Sequence, residues 1–513
     1  MRLRATSSLF LLCCMFLLSC HEKKENTNKQ ITLEDLSGWN EKRYSLSSRK
    51  IRRAIDSLRL LTSGMYADKY TRAYYAARSP FLWIDRFGIN ERADTLINRL
   101  EQTANATGLP SSCFRTEELK KHLRQIRNLD FSSGTDINTA YAHAEYLLTK
   151  AYIRYVCGQR FGYIDPDLAY NNLEKTDTAQ KAPFQVLYDI KTEKADKAFV
   201  QNALAAQQSG DFETFFHEIA PKGRLYRQLV EKYAHTQGTG PKRKVAVNIE
   251  RSRWRTENPE NKHVLVNLAG MNLQAIDTKH EDTLHMKVCI GSRKNKSPML
   301  TSQIERVEMN PYWNIPYSIV KNEIAPRHAG DVAYFTRNRY RIINKSSDEE
   351  TDPATVTASM LLSGQYRVRQ DNGEGNSLGR LIFRFPNRFS IFLHDTDNKR
   401  AFTRENRAIS HGCIRVEKPL ELAVFLLDEP DEDIINKIRT AIGLPPLEGT
   451  DEKATDETPG ENTPLRTTTQ RFKPPVPIFI QYYTLFPAAN GEWGDYPDPY
   501  GYDDLLLEKM DAF

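Results

Sequence analysis

Long hydrophobic runs are scarce in this 513-residue sequence. The longest extends from Leu9 to Leu18, whereas a membrane-spanning helix needs about 20 apolar residues. It follows a short basic region and ends one small residue before Cys20. This order is typical of an export signal, so we predict a signal peptide over residues 1–20 and a polar linker over residues 21–40.

The segment "LLSC" at residues 17–20 resembles the end of a bacterial lipoprotein signal. In such signals the cysteine is lipidated and becomes the new N-terminus, which would make Cys20 the lipidation site. A cleaved secretory signal with an ordinary cysteine is the alternative. Because one lipid chain anchors only marginally, stable attachment would need several acyl chains.

Cysteine is rare, with seven residues in the whole chain. The four outside the predicted signal, which show no CxxC pairing, are Cys113, Cys157, Cys289 and Cys413. We therefore expect no disulfide framework and no zinc site, because closely spaced Cys and His ligands are absent. Cys289 follows a strand-like pattern and is expected to be a buried free thiol; whether Cys113, Cys157 and Cys289 form any disulfide is left open.

Excess charge is also small, at +6 over the whole chain. Nucleic-acid-binding proteins concentrate Lys and Arg on one face, so this dispersed charge argues against a nucleic-acid partner. An exported basic protein could meet anionic envelope polymers, and a solvated surface with a slight basic excess explains the charge equally well.

The hydrophobic periodicity changes once along the chain. Helical spacing dominates residues 41–235, as in "TEELKKHLRQI" and "INTAYAHAEYLLTKAYIRYV". Alternating patterns dominate residues 241–513, beginning with "RKVAVNI" at 243–249 and "KHVLVNL" at 262–268. We predict an α+β protein, with an all-helical domain over 41–235 followed by a mainly β-sheet domain over 241–513.

Two further features belong to the second half. "PLELAVFLL" at 419–427 predicts a helix. Residues 447–472 are acidic, rich in threonine and almost free of large apolar side chains, so we predict a disordered or solvated insertion there.

The segment "AISHGCIRVEKP" places Cys413 between His411 and Arg415. A nearby imidazole and a positive charge lower the pKa of a thiol and favour the nucleophilic thiolate. Gly412 permits a tight turn whose backbone amides could form an oxyanion site. A buried structural cysteine at a strand end is the alternative on these residues alone.

A second imidazole stands upstream in "FSIFLHDTDNKRAF". His394 follows the alternating Ile391 and Leu393, so it lies where a predicted strand ends in a loop. Catalytic groups are often held at such positions by a rigid sheet.

Taken together, "LHDT" and "SHGCIRV" resemble the signature of YkuD-type L,D-transpeptidases, which join peptidoglycan stem peptides through a cysteine. The segments "NPYWNIPYSI", "QYRVRQDNGEGNSLGRLIFRFPN" and "PVPIFIQYY" resemble the large YcbB-like subgroup. The helical half resembles that subgroup's scaffold domain, and the resemblance implies a cap over about residues 318–362. The small peptidoglycan-binding module common in the subgroup has no counterpart near residue 240, where the chain is expected to pass almost directly into the first strand.

The resemblance implies a role for each matching residue. Cys413 matches the nucleophile, His394 the base, and Asp395 the position whose backbone carbonyl orients the imidazole. His411 shapes the site, and the amides of Gly412 and Cys413 form the oxyanion hole. The residues expected to contact substrate are Arg415, Ser410, Trp313, Tyr317 and Arg369; for Trp313 and Tyr317, packing of a turn on the core is the more favoured interpretation.

The resemblance also implies a reaction. Cys413 would attack a tetrapeptide stem, release D-alanine and form a thioester, which the diamino acid amine of a second stem would resolve into a 3→3 cross-link. The alternatives are an L,D-carboxypeptidase, attachment of proteins to the wall, or a non-catalytic peptidoglycan-binding scaffold.

The expected location is the periplasmic side of a Gram-negative envelope, as a membrane-anchored lipoprotein, and carbapenems are expected to acylate Cys413. No metal or organic cofactor is implied, and the oligomeric state is open.

Overall fold

The computed structural model describes residues 45–60, 65–85, 87–131, 136–171, 186–254, 261–447, 466–488 and 491–512. The predicted signal peptide, the Cys20 lipidation site and the polar linker lie outside these residues. Among the residues that are described, no helix is both long and apolar enough to cross a membrane.

The N-terminal half is helical, as predicted. Its helices are α1 (Ser48–Leu58), α2 (Asp68–Ala76), α3 (Arg92–Thr107), α4 (Thr116–Arg127), α5 (Ile137–Phe161), α6 (Pro166–Tyr170), α7 (Lys197–Ser209), α8 (Phe212–Ile219), α9 (Arg224–His235) and α10 (Thr239–Arg253). Three two-residue strands interrupt them, namely β1 (Ile84–Asp85), β2 (Gly88–Ile89) and β3 (Tyr188–Asp189). In α4, the predicted stripe of Leu119, Leu123 and Ile126 is buried.

The chain divides into two compact units. The first contains the described residues up to Ala104, Ser111–Val156 and Lys197–Phe215, and the second contains Asn105–Pro110, Cys157–Asp196 and Phe216 onward. In the first unit, the buried Glu145 carboxylate accepts backbone amides from Leu82 (2.6 Å) and Trp83 (2.9 Å). These bonds fix the segment after α2 against the long helix α5, because an unpaired carboxylate inside the core would be costly.

A large sheet forms the centre of the second unit. Its strands are β4 (Lys262–Asn267), β5 (Asn272–Asp277), β6 (Asp282–Gly291), β7 (Met299–Met309), β12 (Leu381–Arg384), β13 (Leu393–His394), β14 (Ala408–Ser410), β15 (Ile414–Val416) and β16 (Thr468–Gln481). The order is β12-β13-β15-β6-β5-β4-β16-β7-β3, with β14 alongside β6, and a further pairing of β12 with β7 closes the sheet on itself. The short strands β13 and β15 lie inside the sheet, and each is paired with a strand on both sides. They therefore form a rigid support.

A smaller sheet lies between β7 and β12 in sequence. It has the order β10-β9-β11-β8, built from β8 (Trp313–Asn314), β9 (Tyr340–Asn344), β10 (Glu350–Thr351) and β11 (Tyr366–Gln370). Its helices are α11 (Tyr317–Ile319), a π-helical turn (Val320–Ile324), α12 (Ala325–His328), α13 (Val332–Arg337) and α14 (Ala358–Leu362). We call residues 313–370 the cap subdomain; it has a hydrophobic cluster of its own that includes Ile324, Phe335 and Val368.

The remaining elements complete the second unit. Helix α15 (Pro419–Phe425) confirms the helix predicted after the cysteine motif, and α16 (Glu432–Ala441) follows it. The chain continues through β17 (Leu485–Pro487) and β18 (Trp493–Asp495) to α17 (Tyr502–Asp511).

The predicted strand at 243–249 is wrong, because these residues lie within helix α10. Every residue from Val245 to Arg251 is buried, so the helix has no polar face to reveal a helical period. Its polar residues find internal partners instead, as Arg251 does in Asp503 at 2.5 Å. The chain therefore inserts a buried helix before β4 and does not pass directly into a strand.

The structure describes only part of the insertion predicted at 447–472. Residues 448–465 lie outside the described residues, and Thr468–Phe472 form the start of β16, contrary to the prediction. The Thr-rich segment "TTQRF" forms a strand because it pairs with β7, from Thr468 opposite Met309 to Arg471 opposite Arg306. Tertiary pairing here outweighs a polar composition.

Candidate active site

Two adjacent strands bring together the two residues singled out in the sequence. His394 is the last residue of β13, and Cys413 immediately precedes β15. The strands pair in parallel, with Leu393 opposite Ile414 and His394 opposite Arg415. Side chains alternate along a strand, so Cys413, two residues before Arg415, is a diagonal neighbour of His394 on the same face.

The His394 imidazole is buried and oriented by the backbone. Its Nδ1 donates to the carbonyl of Asp395 at 2.5 Å. A carbonyl can only accept, so the neutral ring carries its proton on Nδ1 and leaves Nε2 as the acceptor. Burial, followed by the charge of Arg415, lowers the pKa of His394 to about 4, although hydrogen bonds with the backbone of Asp395 and Leu378 act in the opposite sense.

The Cys413 thiol is half-buried and free. Burial raises its pKa, and this outweighs the opposing influences of a hydrogen bond with the Phe392 backbone and of the Arg384 and Arg415 charges. The sequence led us to expect a lowered pKa, whereas in the structure the pKa is raised. Removing water from a thiolate destabilises it more than the charges of Arg384 and Arg415 stabilise it. Within the described residues, the thiol and the His394 ring form no hydrogen bond to each other.

The turn that carries Cys413 is fixed from inside. Gly412 has φ +117°, a conformation that residues with a Cβ rarely adopt. The hydroxyl of the buried Ser410 donates to the Cys413 carbonyl at 2.5 Å and accepts from the Gly412 amide at 3.1 Å. Ser410 therefore uses its hydroxyl within the turn, and the geometry favours a positioning role for it over the expected substrate contact.

A second support comes from residues that the sequence analysis did not select. The buried Ser297 hydroxyl donates to the Gly412 carbonyl at 2.7 Å and accepts from the Gly291 amide at 2.9 Å. Tyr500, also buried, donates to the Gly291 carbonyl at 2.7 Å and accepts from the Ser297 amide at 3.1 Å. Three of these four contacts join residues more than 100 positions apart, so no local pattern signals them.

Comparison with known proteins places these residues in a family. Residues 261–478 match the YkuD family, described as an L,D-transpeptidase catalytic domain, and residues 69–232 match a scaffold domain. A Haemophilus influenzae protein named "Putative L,D-transpeptidase" is 26% identical over 385 residues, which cover 73% of each chain. The chain contains a YkuD-type L,D-transpeptidase catalytic domain. Its architecture is that of the YcbB-like subgroup, and its domain implies peptidoglycan peptides as substrates.

His411 of this L,D-transpeptidase contacts the cap subdomain. It is exposed, and its Nε2 lies 2.6 Å from Glu323 Oε1 in the π-helical turn of the cap subdomain. The pair joins the turn that carries Cys413 to the cap subdomain. A π-helical turn is uncommon and is often found near functional sites.

Asp395 holds the loop after β13 with its side chain as well as its carbonyl. Its buried carboxylate accepts the Arg380 amide at 2.9 Å and pairs with Lys399. A Cβ on Gly379 would lie 2.5 Å from this carboxylate, so only glycine permits the close approach. The loop therefore presents the carbonyl that orients His394 in a fixed position.

Two arginines expected to contact substrate have an unpaired guanidinium nitrogen. Arg415 is half-buried, and its Nε is buried without a hydrogen-bond partner. Arg369, on β11, stacks over Tyr312 with its guanidinium carbon 4.6 Å from the ring centroid, and its Nε is also unpaired. Unused guanidinium donors suit carboxylate groups of a peptide substrate.

The two aromatic residues expected to contact substrate differ in burial. Trp313 is half-buried and packs against the core of the cap subdomain, with its ring 6.4 Å from that of Tyr340. This matches the packing interpretation favoured for it. Tyr317 is 53% exposed and donates to the Leu362 carbonyl at 3.1 Å, so its ring is available to a ligand.

Proposed function

We propose that the protein forms 3→3 cross-links between peptidoglycan tetrapeptide stems through a Cys413 thioester, with His394 as the general base. The observation that carries this proposal is the diagonal placement of Cys413 and His394 on paired parallel strands, with Nδ1 of His394 held by the Asp395 carbonyl. The L,D-transpeptidase domain supports the substrate class.

The pKa directions support a neutral resting pair. His394, with its pKa near 4, is unprotonated at neutral pH, and the buried thiol keeps its proton. The thiol proton therefore passes to Nε2 as sulfur attacks, and the resting site does not hold a thiolate–imidazolium pair. Catalytic contacts of this kind often tighten only when substrate is bound.

In the first step, Cys413 Sγ bonds to the carbonyl carbon that precedes the terminal D-alanine. The C–N bond breaks, and D-alanine leaves with the proton held by His394. In the second step, the side-chain amine of another stem attacks the thioester, His394 accepts its proton, and the thiol is regenerated. No redox agent or cofactor is consumed.

The oxyanion of each tetrahedral intermediate is stabilised by backbone amides of the turn. The Cys413 amide adjoins the reacting sulfur, and the Gly412 amide is engaged with Ser410 Oγ at 3.1 Å. In the reaction the Gly412 amide exchanges this hydrogen bond for one to the oxyanion. The new hydrogen bond becomes stronger as negative charge develops, which lowers the barrier. Arg415 and Arg369 hold carboxylates of the stem peptide through their guanidinium groups.

The deciding experiment uses residues 21–513 and sacculi rich in tetrapeptide stems, with muropeptides resolved by mass spectrometry. We expect 3→3 dimers and free D-alanine from the wild type and neither from Cys413→Ala. Release of D-alanine without dimers would replace the proposal with an L,D-carboxypeptidase. Stem peptides joined to a protein lysine would replace it with wall attachment, and no change with a folded chain would favour a non-catalytic scaffold.

A second measurement tests the nucleophile separately from the acceptor. We expect a carbapenem to add its whole mass to the chain, because acylation opens the β-lactam ring without a leaving group. The adduct should map to the peptide that contains Cys413 and should be lost in Cys413→Ala. His394→Gln should slow adduct formation by about 10²-fold or more, since general-base catalysis is typically of that size.

A further inference from the structure

Helices α4 and α5 of the scaffold domain bring together three residues that ligate metals in proteins. Glu118 and His122 lie on α4, and His143 lies on α5. One potential ligand atom from each lies within 4.8 Å of the other two. All three residues belong to the first compact unit, and none belongs to the catalytic domain.

The helical spacing fixes two of the three groups on one face. Glu118 and His122 are four residues apart, so their side chains project from consecutive turns in the same direction. The next turn of α4 is anchored by the buried Leu123 and Ile126. A rigid helix therefore presents a carboxylate and an imidazole to His143, whose ring centroid lies 5.0 Å from that of His122.

Burial acts on the two imidazoles in the same direction. It lowers the pKa of both His122 and His143, and for His122 the charge of His143 adds to this effect. Neutral imidazole is the form that ligates metals, so burial does not oppose metal binding. The Nδ1 atom of His122 is buried and has no hydrogen-bond partner, although a hydrogen bond with Gln125 engages the side chain elsewhere.

The surrounding charges limit which ions the group would accept. Glu118 Oε1 lies 3.8 Å from His122 Nε2, and its Oε2 pairs with Arg115 at 2.5 Å. Arg115 and Lys121 place positive charge near the two histidines. With one carboxylate and two cations, the group is poor for Ca²⁺ or Mg²⁺, which need several oxygen ligands. Two imidazoles and one carboxylate instead suit Zn²⁺ and similar ions.

We propose, in contrast to the expectation from the sequence, that Glu118, His122 and His143 form a site for a divalent transition-metal ion of the Zn²⁺ class, with water completing the coordination. Zinc–ligand distances of about 2.0–2.2 Å place tetrahedral ligands roughly 3.3 Å apart, so the side chains must close by about 1–1.5 Å. Rotations of three half-buried side chains supply this movement. The ion joins α4 to α5 and stabilises the scaffold domain by mass action.

The test is a zinc titration of residues 21–513, freed of any affinity tag and stripped of metal, in competition with a chromophoric chelator. Cys413→Ala is the background, so that zinc held by the catalytic thiol does not count. We expect one equivalent of Zn²⁺ to bind and to raise Tm. His122→Ala and His143→Ala should each weaken binding by about 10–100-fold or more and remove the rise in Tm.

Two further readouts separate this site from adventitious binding. His235→Ala removes an exposed histidine elsewhere and should leave affinity unchanged. Co²⁺ bound at the site should give the visible absorption of nitrogen and oxygen ligation without a thiolate charge-transfer band. A folded chain that binds no equivalent, or one whose affinity ignores both histidine substitutions, would overturn the proposal. Because none of these readouts requires transpeptidation, they are independent of the proposed reaction.

Discussion

At the scale of single residues, His394 and Cys413 depart from their ordinary pKa values in ways that favour the uncharged form of each. A buried imidazole resists protonation and a buried thiol resists ionisation, because water no longer solvates the charge. We therefore expect the pair to rest as thiol and neutral imidazole. Reactivity then depends on a substrate that brings the two groups into hydrogen-bond contact.

This resting state predicts the pH dependence of alkylation. The rate of iodoacetamide addition to Cys413, followed by peptide mass spectrometry, should rise with pH and show its inflection above about 9, the ordinary value from which burial raises the pKa. Arg384→Gln should move the inflection higher, because the charge of Arg384 lowers the pKa. A plateau of full reactivity between about pH 5 and pH 8 would instead reveal a preformed thiolate–imidazolium pair.

Ser297 predicts a catalytic effect from a residue that does not touch substrate. Ser297→Ala leaves the Gly412 carbonyl and the Gly291 amide without their shared partner. Unpaired buried groups cost about 1–3 kcal/mol each, so with two such groups the free energy of unfolding should fall by about 2–6 kcal/mol. In the folded fraction, we expect kcat to drop about tenfold or more with KM changed less than about threefold.

The matched control for Ser297 is Ser302→Ala. Ser302 also donates its hydroxyl to a carbonyl, that of Pro386 at 2.6 Å, but makes no contact with the Gly412 turn. Its substitution should reduce stability without a selective loss of kcat. If both Ser297→Ala and Ser302→Ala reduce stability and neither lowers kcat selectively, Ser297 has no positioning role in catalysis.

At the scale of elements, the cap subdomain is joined to the cysteine turn by the pair of His411 and Glu323. Both side chains are about half exposed, so water and salt weaken the attraction, and such pairs contribute at most about 1 kcal/mol. In the proposed reaction, we expect a bias of this size to change how often the cap subdomain covers the thioester. Covering it excludes water and favours the amine acceptor.

Glu323→Gln should therefore change the products more than the rate. We expect the ratio of hydrolysed to cross-linked stems to rise by up to about fivefold, the factor that corresponds to about 1 kcal/mol. Glu350→Gln is the control, because Glu350 is an exposed cap residue paired with Arg341 at 2.8 Å and does not contact His411. Equal product ratios in wild type, Glu323→Gln and Glu350→Gln would exclude the proposed coupling.

The helix at Thr239–Arg253 shows why one element was mispredicted. In "RKVAVNI" the alternation of small and branched apolar residues matches a strand. The segment is nevertheless helical, and because it is buried on every side, no polar face reveals the helical period. Its charged residues are tolerated because Glu250 pairs with Arg253 at 2.9 Å and Arg251 pairs with Asp503. Such long-range partners are invisible to a local period.

At the scale of the whole molecule, the proposed attachment to a membrane rests on Cys20. Cys20→Ala should stop incorporation of labelled palmitate and move the protein from the membrane fraction to the soluble fraction of the cell envelope. Cys14→Ala, a substitution inside the same apolar run, should leave both unchanged. Undiminished labelling of Cys20→Ala would exclude lipidation at this residue.

The sequence by itself determined the α+β class, some of the strands of the catalytic domain, such as β4, and the motifs that led to Cys413 and His394. These depend on local information: a hydrophobic period, a glycine in a tight turn, and short catalytic signatures. The structure confirmed Cys289 as a buried free thiol on β6, because an apolar strand position needs only local pattern to be recognised.

Only the tertiary structure decided how those residues are held and what state they are in. Ser297 reaches the Gly412 turn from a distant segment and is itself held by Tyr500, His411 contacts Glu323, and burial reverses the expected sign of the Cys413 pKa shift. Desolvation and long-range hydrogen bonds arise only when segments far apart in sequence pack together, so no local pattern can encode them.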